Sequence, residues 1–99
     1  VIARGDLGNV MPLSELPKVQ AYIAKVCKEH NKNFMVVTQM LDSMIRNPYP
    51  TRAEVNDIYH AVHQGANALM LTGETAHGRY PVEAMKMLVE TANGSLEEL

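Results

Sequence analysis

The sequence has a single cysteine, Cys27, so no disulfide can form within the chain, which is typical of a reducing compartment. Its apolar runs are short, as at residues 68–71, and fall well below the roughly 20 residues of a membrane span. The net charge of −2 offers no electrostatic basis for binding nucleic acid or an anionic membrane. We therefore expect a soluble, cytoplasmic chain with neither kind of partner.

Two families of binding motif are also missing. The sequence contains no GxxxxGK[ST] and no GxGxxG, so a nucleotide would have to be held in some other way. The four histidines are scattered and do not show the spacing of a zinc site; they are His30, His60, His63 and His77. Any metal site should therefore depend on carboxylates.

Three apolar, β-rich stretches begin near Val1, Phe34 and Ala66, about one βαβ unit apart. Helical patterns separate them, and the order is strand, helix, strand, helix pair, strand, helix. The strands are continuously apolar, as in a parallel sheet that helices cover. The sequence therefore predicts an α/β fold of parallel βα units.

The helix ends carry recognisable signals. Ser14 is the predicted cap of the first long helix, and "TRAE" from Thr51 is a capping box. Gly65 provides a left-handed stop, Pro81 begins the last helix, and Gly94 is expected to end it. We expect an ordered region over residues 1–94 and a frayed tail over residues 95–99.

Polar residues follow each of the three strands. They are Arg4 and Asp6 after the first, Thr38 after the second, and Thr72 and Glu74 after the third. Because parallel strands end at the same edge, these side chains should converge where α/β folds carry their sites. Any one of them could instead serve only as a turn or cap residue, but three coincident clusters favour a site.

The residue types limit the chemistry of that site. Asp6 is a hard oxygen ligand suited to Mg²⁺ or Mn²⁺. The glycines of "RGDLG" allow close approach of a carboxylate or phosphate to backbone N–H groups. Thr38 and Thr72 offer hydroxyls that can orient a substrate or pass a proton, although neither is a strong base.

Three segments closely resemble consecutive barrel segments of the pyruvate kinase family. They are "ARGDLG", "TQMLDSMIRNPYPTRAEVND" and "LTGETAHGRYPVEA", and the resemblance extends from Val1 to about Ala92. It implies that the chain holds the sixth, seventh and eighth units of a (β/α)₈ barrel, so that residues 1–94 are part of a catalytic barrel domain. On this interpretation "VIARGDLG" begins in mid-barrel, and the chain is a piece of a larger enzyme.

The resemblance also implies residue roles. Asp6 would be one of two carboxylate ligands of the catalytic Mg²⁺ (or Mn²⁺), and the N–H groups of Gly5 and Asp6 would hold the substrate carboxylate. Thr38 would donate a hydroxyl to the same carboxylate, and Thr72, where the family usually has Ser, would belong to a proton relay. His77 stands in place of a usual Lys near the nucleotide phosphates. Arg4 and Glu74 are expected to brace their loops.

The implied reaction transfers phosphate from phosphoenolpyruvate to ADP, giving pyruvate and ATP in glycolysis. The family's lysine, its second metal-ligand glutamate and its K⁺ ligands belong to segments outside this chain. The parent enzyme is expected to be a homotetramer, whereas this chain alone is expected to self-associate and to be inactive. Two alternatives remain open: a non-catalytic folding or assembly unit, and a different metal-dependent enzyme acting on pyruvate or phosphoenolpyruvate.

Overall fold

The computed structural model describes residues 1–97 of the chain. Its elements alternate between short strands and helices, with two 3₁₀ turns at Leu13–Glu15 and Asp42–Ile45. The strands are β1 (Ile2–Ala3), β2 (Met35–Val37) and β3 (Ala68–Met70). The helices are α1 (Arg4–Gly8), α2 (Leu16–Glu29), α3 (Arg52–His63), α4 (Gly73–Ala76) and α5 (Pro81–Leu96).

The strands form one parallel sheet in the order β1-β2-β3, which confirms the predicted parallel α/β arrangement. Ile2 pairs with Val36, and Val36 pairs with Leu69. Each strand therefore lies beside the one that precedes it in the chain. This order is that of successive units in a βα barrel, whereas a doubly wound sheet reverses direction at a switch point.

The core lies between the sheet and the helices. Paired residues of parallel strands share a face: Ile2 and Val36 belong to the buried cluster that contains Ile58 of α3 and Leu88 of α5, and Leu69 packs against it. The opposite face of the sheet carries the row of Ala3, Val37 and Met70. Met70 is 41% exposed. One apolar face of the sheet is thus covered by helices, and the other is partly open.

The capping box at the start of α3 is confirmed. The N–H of Glu54 donates to Thr51 Oγ1 at 3.2 Å, and the N–H of Thr51 donates to Glu54 Oε1 at 2.9 Å. Gly65 has φ +91°, the left-handed conformation that glycine adopts without steric cost. Pro81 begins α5 as expected. These local signals therefore identified the helix ends correctly.

Other predicted boundaries were wrong. Ser14 does not cap α2, because a 3₁₀ turn precedes the helix and Glu15 occupies the N-cap position. The first member of the predicted helix pair, the stretch "QMLDSMIR", forms a 3₁₀ turn at Asp42–Ile45 in place of a helix. Gly94 does not end α5, which continues to Leu96, and the buried Ser95 donates to the carbonyl of Thr91 at 2.6 Å. Residues 98 and 99 of the predicted tail lie outside the described residues.

Within residues 1–97, no helix combines the length and the apolar character needed to cross a membrane. Cys27 is a free, partly buried thiol packed against the core. Its surroundings are those of a packing residue.

Candidate active site

The predicted site lies where β1 and β2 end. Helix α1 begins at Arg4, directly after β1, so Arg4 and Gly5 remain next to the strand end. β2 ends at Val37, and Thr38 is the next residue. Because β1 and β2 are paired, Gly5 and Thr38 come into contact although they are 33 positions apart in sequence.

Arg4 is bound on several sides. Its Nη1 donates to Asp57 Oδ1 at 2.6 Å, while its Nη2 donates to the carbonyl oxygen of Thr38 at 2.8 Å and contacts Met40 Sδ at 3.0 Å. The Arg4 side chain is only 11% exposed. With its guanidinium engaged in this way, Arg4 braces the neighbouring loop after β2, whereas the sequence predicted that it would brace its own loop.

The backbone of that loop is unusual. Thr38 has φ +80° and Gln39 has φ +56°, so two consecutive non-glycine residues lie in the left-handed region. This conformation is disfavoured for a β-branched residue and costs on the order of 1–3 kcal/mol. Such strain persists only where surrounding bonds hold it, and it is common at functional sites.

Thr38 also binds α1 through its side chain. The N–H of Gly5 donates to Thr38 Oγ1 at 2.7 Å. Because the hydroxyl oxygen accepts this bond, the hydroxyl hydrogen can donate to another group. The structure thus brings together two of the predicted carboxylate-binding residues, and it shows that the Gly5 N–H already has a partner within the chain.

Glu74 joins the loops after β2 and β3. It is 1% exposed, and its two carboxylate oxygens accept from the N–H of Leu41 at 2.9 Å and from the N–H of Thr72 at 3.0 Å. Leu41 is fully buried. Glu74 therefore braces its own loop, as expected, and it also fixes the neighbouring one.

Asp6 and His77 lie on the exposed side of the site. Among residues 1–97, the carboxylate of Asp6 has no hydrogen-bond or ion-pair partner, and no three His, Cys, Asp or Glu side chains form a group that could hold a metal ion. The ring of His77 lies against Gly73, where an added Cβ would be 3.1 Å from its Cε1. Of the two acids that the sequence predicted at the strand ends, Glu74 is engaged within the described residues and Asp6 has a free carboxylate.

Glu54 links the 3₁₀ turn after β2 to the start of α3. Besides the capping box, its carboxylate accepts from the N–H of Ser43 at 2.8 Å and from the Ser43 hydroxyl at 2.5 Å. Burial alone raises the pKa of Glu54, but the hydrogen bonds from Ser43 and Thr51 outweigh it and lower the pKa below its ordinary value of 4.5. The ionised form of Glu54 thus stabilises this junction.

Sequence analysis missed Asp57, Gln20 and Gln64. Gln20 Nε2 donates to Gln64 Oε1 at 2.8 Å, and Gln20 Oε1 accepts from Arg4 Nη1 at 3.5 Å. These groups line a groove of about 280 Å³ that reaches Thr38. One signal was present: Gln20 lies four residues after Leu16 on the apolar face of α2, where a polar side chain needs a partner.

A comparison with family models matches residues 1–85 to the pyruvate kinase barrel domain. Among individual relatives, the chain is 50% identical over 99 residues to the pyruvate kinase of Thermotoga maritima and 50% identical over 99 residues to that of Bacillus licheniformis. It is 52% identical over 88 residues, 89% of its length, to the chloroplastic pyruvate kinase isozyme G of Nicotiana tabacum.

The parallel units and the rim of polar loops define an α/β chain of barrel type. The chain belongs to the pyruvate kinase family. It spans only 21% of the Thermotoga maritima relative, 17% of the Bacillus licheniformis relative and 16% of the tobacco relative.

Proposed function

We propose that this chain forms units six to eight of the barrel of a cytoplasmic, glycolytic pyruvate kinase and supplies part of its phosphoenolpyruvate site. The observation that carries the proposal is the bond from the N–H of Gly5 to Thr38 Oγ1. It joins two residues that the family resemblance assigns to one substrate group, at the edge of a parallel sheet where such folds place their sites.

Thr38 would hold the substrate carboxylate. Its hydroxyl accepts from Gly5, so its own hydrogen is available to donate to a carboxylate oxygen. The N–H groups of Gly5 and Asp6 would add further donors, with the Gly5 N–H shared between Thr38 and the substrate. Such charge-assisted hydrogen bonds orient phosphoenolpyruvate for transfer of its phosphoryl group to ADP.

Thr72 would take part in proton delivery. After the phosphoryl group leaves the enol oxygen, the methylene carbon of the enolate must gain a proton to give pyruvate. Thr72 has its N–H fixed by Glu74, so its hydroxyl is held at the end of β3. A hydroxyl there can pass a proton along a chain of donors, whereas it is too weak a base to begin that chain.

The free carboxylate of Asp6 fits one ligand position of a hard divalent cation, Mg²⁺ or Mn²⁺. When bound, the cation would neutralise charge on the enolate and phosphate oxygens. The other carboxylate ligand, the K⁺ ligands and the lysine would come from the rest of the enzyme. His77 would lie near the phosphates of ADP.

The test is a grafted enzyme, defined as the Thermotoga maritima pyruvate kinase with its matching segment replaced by residues 1–99. We expect the grafted enzyme to form pyruvate from phosphoenolpyruvate and ADP. The isolated chain should form none, because one carboxylate without the remaining ligands and lysine cannot stabilise the transferring charge. Deletion of the segment provides the inactive control, and sedimentation tests the expected homotetramer of the grafted enzyme and self-association of the isolated chain.

Two outcomes would contradict the proposal. The first is activity of the isolated chain after contaminating host enzyme has been excluded. The second is a folded grafted enzyme that neither binds phosphoenolpyruvate nor turns it over, which would favour the alternative of a non-catalytic assembly unit.

A further inference from the structure

The left-handed backbone at Thr38 needs an explanation from its surroundings. A β-branched residue does not adopt φ +80° without help, and Gln39 at φ +56° extends the same conformation. The carbonyl of Thr38 accepts from Arg4 Nη2 at 2.8 Å. The Thr38 hydroxyl accepts from the N–H of Gly5, the residue after Arg4, at 2.7 Å. Thr38 is therefore held to α1 through both its backbone and its side chain.

Arg4 is in turn held by α3. Its other terminal nitrogen, Nη1, donates to Asp57 Oδ1 at 2.6 Å. The two nitrogens of a guanidinium are fixed in one plane, so Arg4 cannot rotate away from Asp57 and keep its bond to Thr38. The Asp57 side chain is 29% exposed and that of Arg4 is 11% exposed, which limits competition from water.

From this arrangement we infer that Asp57 and Arg4 are positioning residues for substrate binding: together they hold Thr38 in its left-handed conformation and aim its hydroxyl at the substrate carboxylate. The inference rests on the proposed role of Thr38. It adds Asp57, which lies on α3 and acts through Arg4.

The bonds from Arg4 and Gly5 fix the position of the Thr38 hydroxyl in addition to stabilising the loop. Arg4 and Gly5 are neighbours, and they bind the carbonyl and the hydroxyl of the same residue. If Thr38 relaxed to a negative φ, its carbonyl would turn away from Arg4 and its hydroxyl would leave Gly5. Loss of Asp57 should therefore affect the group that binds the substrate carboxylate and leave the nucleotide side of the site unchanged.

The experiment uses the grafted enzyme with Asp57→Asn, which keeps the size of the side chain and removes its charge. We expect the KM for phosphoenolpyruvate to rise about tenfold, the effect of one weakened charge-assisted hydrogen bond. The KM for ADP should stay within about twofold of the parent value, because the substitution does not alter the nucleotide side of the site. A loss of folded enzyme would instead lower kcat and leave both KM values unchanged. Asp57→Glu should recover part of the affinity, and Glu90→Gln, on the exposed side of α5, is the matched control.

A double-mutant cycle separates this inference from the proposed function. In a Thr38→Ala background there is no hydroxyl to position, so Asp57→Asn should leave the KM for phosphoenolpyruvate unchanged. An equal effect in both backgrounds, or no effect of Asp57→Asn when Thr38→Ala is harmful, would overturn the inference alone. A normal KM for phosphoenolpyruvate in Thr38→Ala would instead contradict the proposed role of Thr38.

A crystal structure of the Asp57→Asn grafted enzyme gives a second readout that does not depend on activity. We expect Thr38 to leave the left-handed region, with loss of the Gly5 bond. Retention of a φ near the value in this structure, with both bonds intact, would overturn the inference.

Discussion

The polar residues at the strand ends fall into two regions that differ in how their bonds are used. The inner region comprises Arg4, Thr38 and Glu74, whose polar groups bind other parts of the chain. The outer region comprises Asp6 and His77, which are exposed. Groups already bound within the protein can fix geometry, whereas an unbound carboxylate can accept a cation. The difference separates positioning residues from candidate ligands, although both kinds are charged or polar and come from the same loops.

Asp6→Asn in the grafted enzyme is the strongest test of the outer region. We expect turnover to fall by about 10²-fold or more, with a higher Mg²⁺ requirement, because stabilisation of the oxyanion depends on the metal charge. The melting temperature should not change, since the carboxylate has no partner within the described residues. Near-normal kinetics at ordinary Mg²⁺ would contradict the role of Asp6 as a metal ligand. A large loss of stability would show that its carboxylate has a structural role.

Glu74→Gln, in contrast to Asp6→Asn, should lower the stability of the grafted enzyme. The amide keeps one acceptor oxygen, but its NH₂ group faces a second N–H donor, so one buried donor loses its partner. We expect the free energy of unfolding to fall by about 2 kcal/mol. Chemical denaturation of the grafted enzyme measures this loss, and Glu83→Gln on the exposed side of α5 is the control. A loss no greater than in that control would show that Glu74 does not fix the inner region.

Acid should weaken the junction formed by Glu54. The pKa of Glu54 is lowered in the folded state, so its ionised form contributes stability that is present above pH 4.5 and is lost as the pH falls below that value. Its Thr51 cap alone is worth about 1 kcal/mol. Unfolding measured across this range should show a smaller acid-induced loss in Glu54→Gln than in the parent. Equal losses would contradict the assignment.

His77→Lys should produce the smallest change. The side chain is exposed, and exposed charge pairs contribute little, so we expect the KM for ADP to fall only about two- to threefold. Steady-state kinetics at fixed phosphoenolpyruvate measure it. A change in the KM for ADP greater than about tenfold would contradict this expectation, because it would require that residue 77 contact the nucleotide through a fixed and desolvated bond.

Most of the fold followed from short-range signals. The apolar periodicity located the three strands and the long helices, and the capping box at Thr51 and the glycine at Gly65 marked ends that the structure confirms. These signals work because each one concerns groups within a single turn of chain. Gly94 misled for the same reason: the sequence around it permits a stop, but the burial of Ser95 continues the helix.

The sequence predicted which residues lie at the site, but it did not predict most of the bonds between them. The parallel order placed Arg4, Thr38 and Glu74 at one edge. The left-handed conformation of Thr38 left no sign in the sequence, because a β-branched residue normally argues against it. Asp57 was also missed, since its partner lies 53 positions away and only the packing of α3 brings the two together.

The two bonds of Glu74 also bear on how such a barrel can be rearranged. A single carboxylate serves the loops of two successive units, so the loop after β2 depends on a side chain of the next unit. Recombination that exchanges the unit of β2 alone would place a foreign loop opposite Glu74, and a buried acid would then meet an unmatched backbone. A crossover between residues 41 and 74 would separate Glu74 from the loop after β2, and one before residue 34 would separate Arg4 from Thr38 and Asp57. The three units should therefore be exchanged between homologous enzymes more readily together than singly.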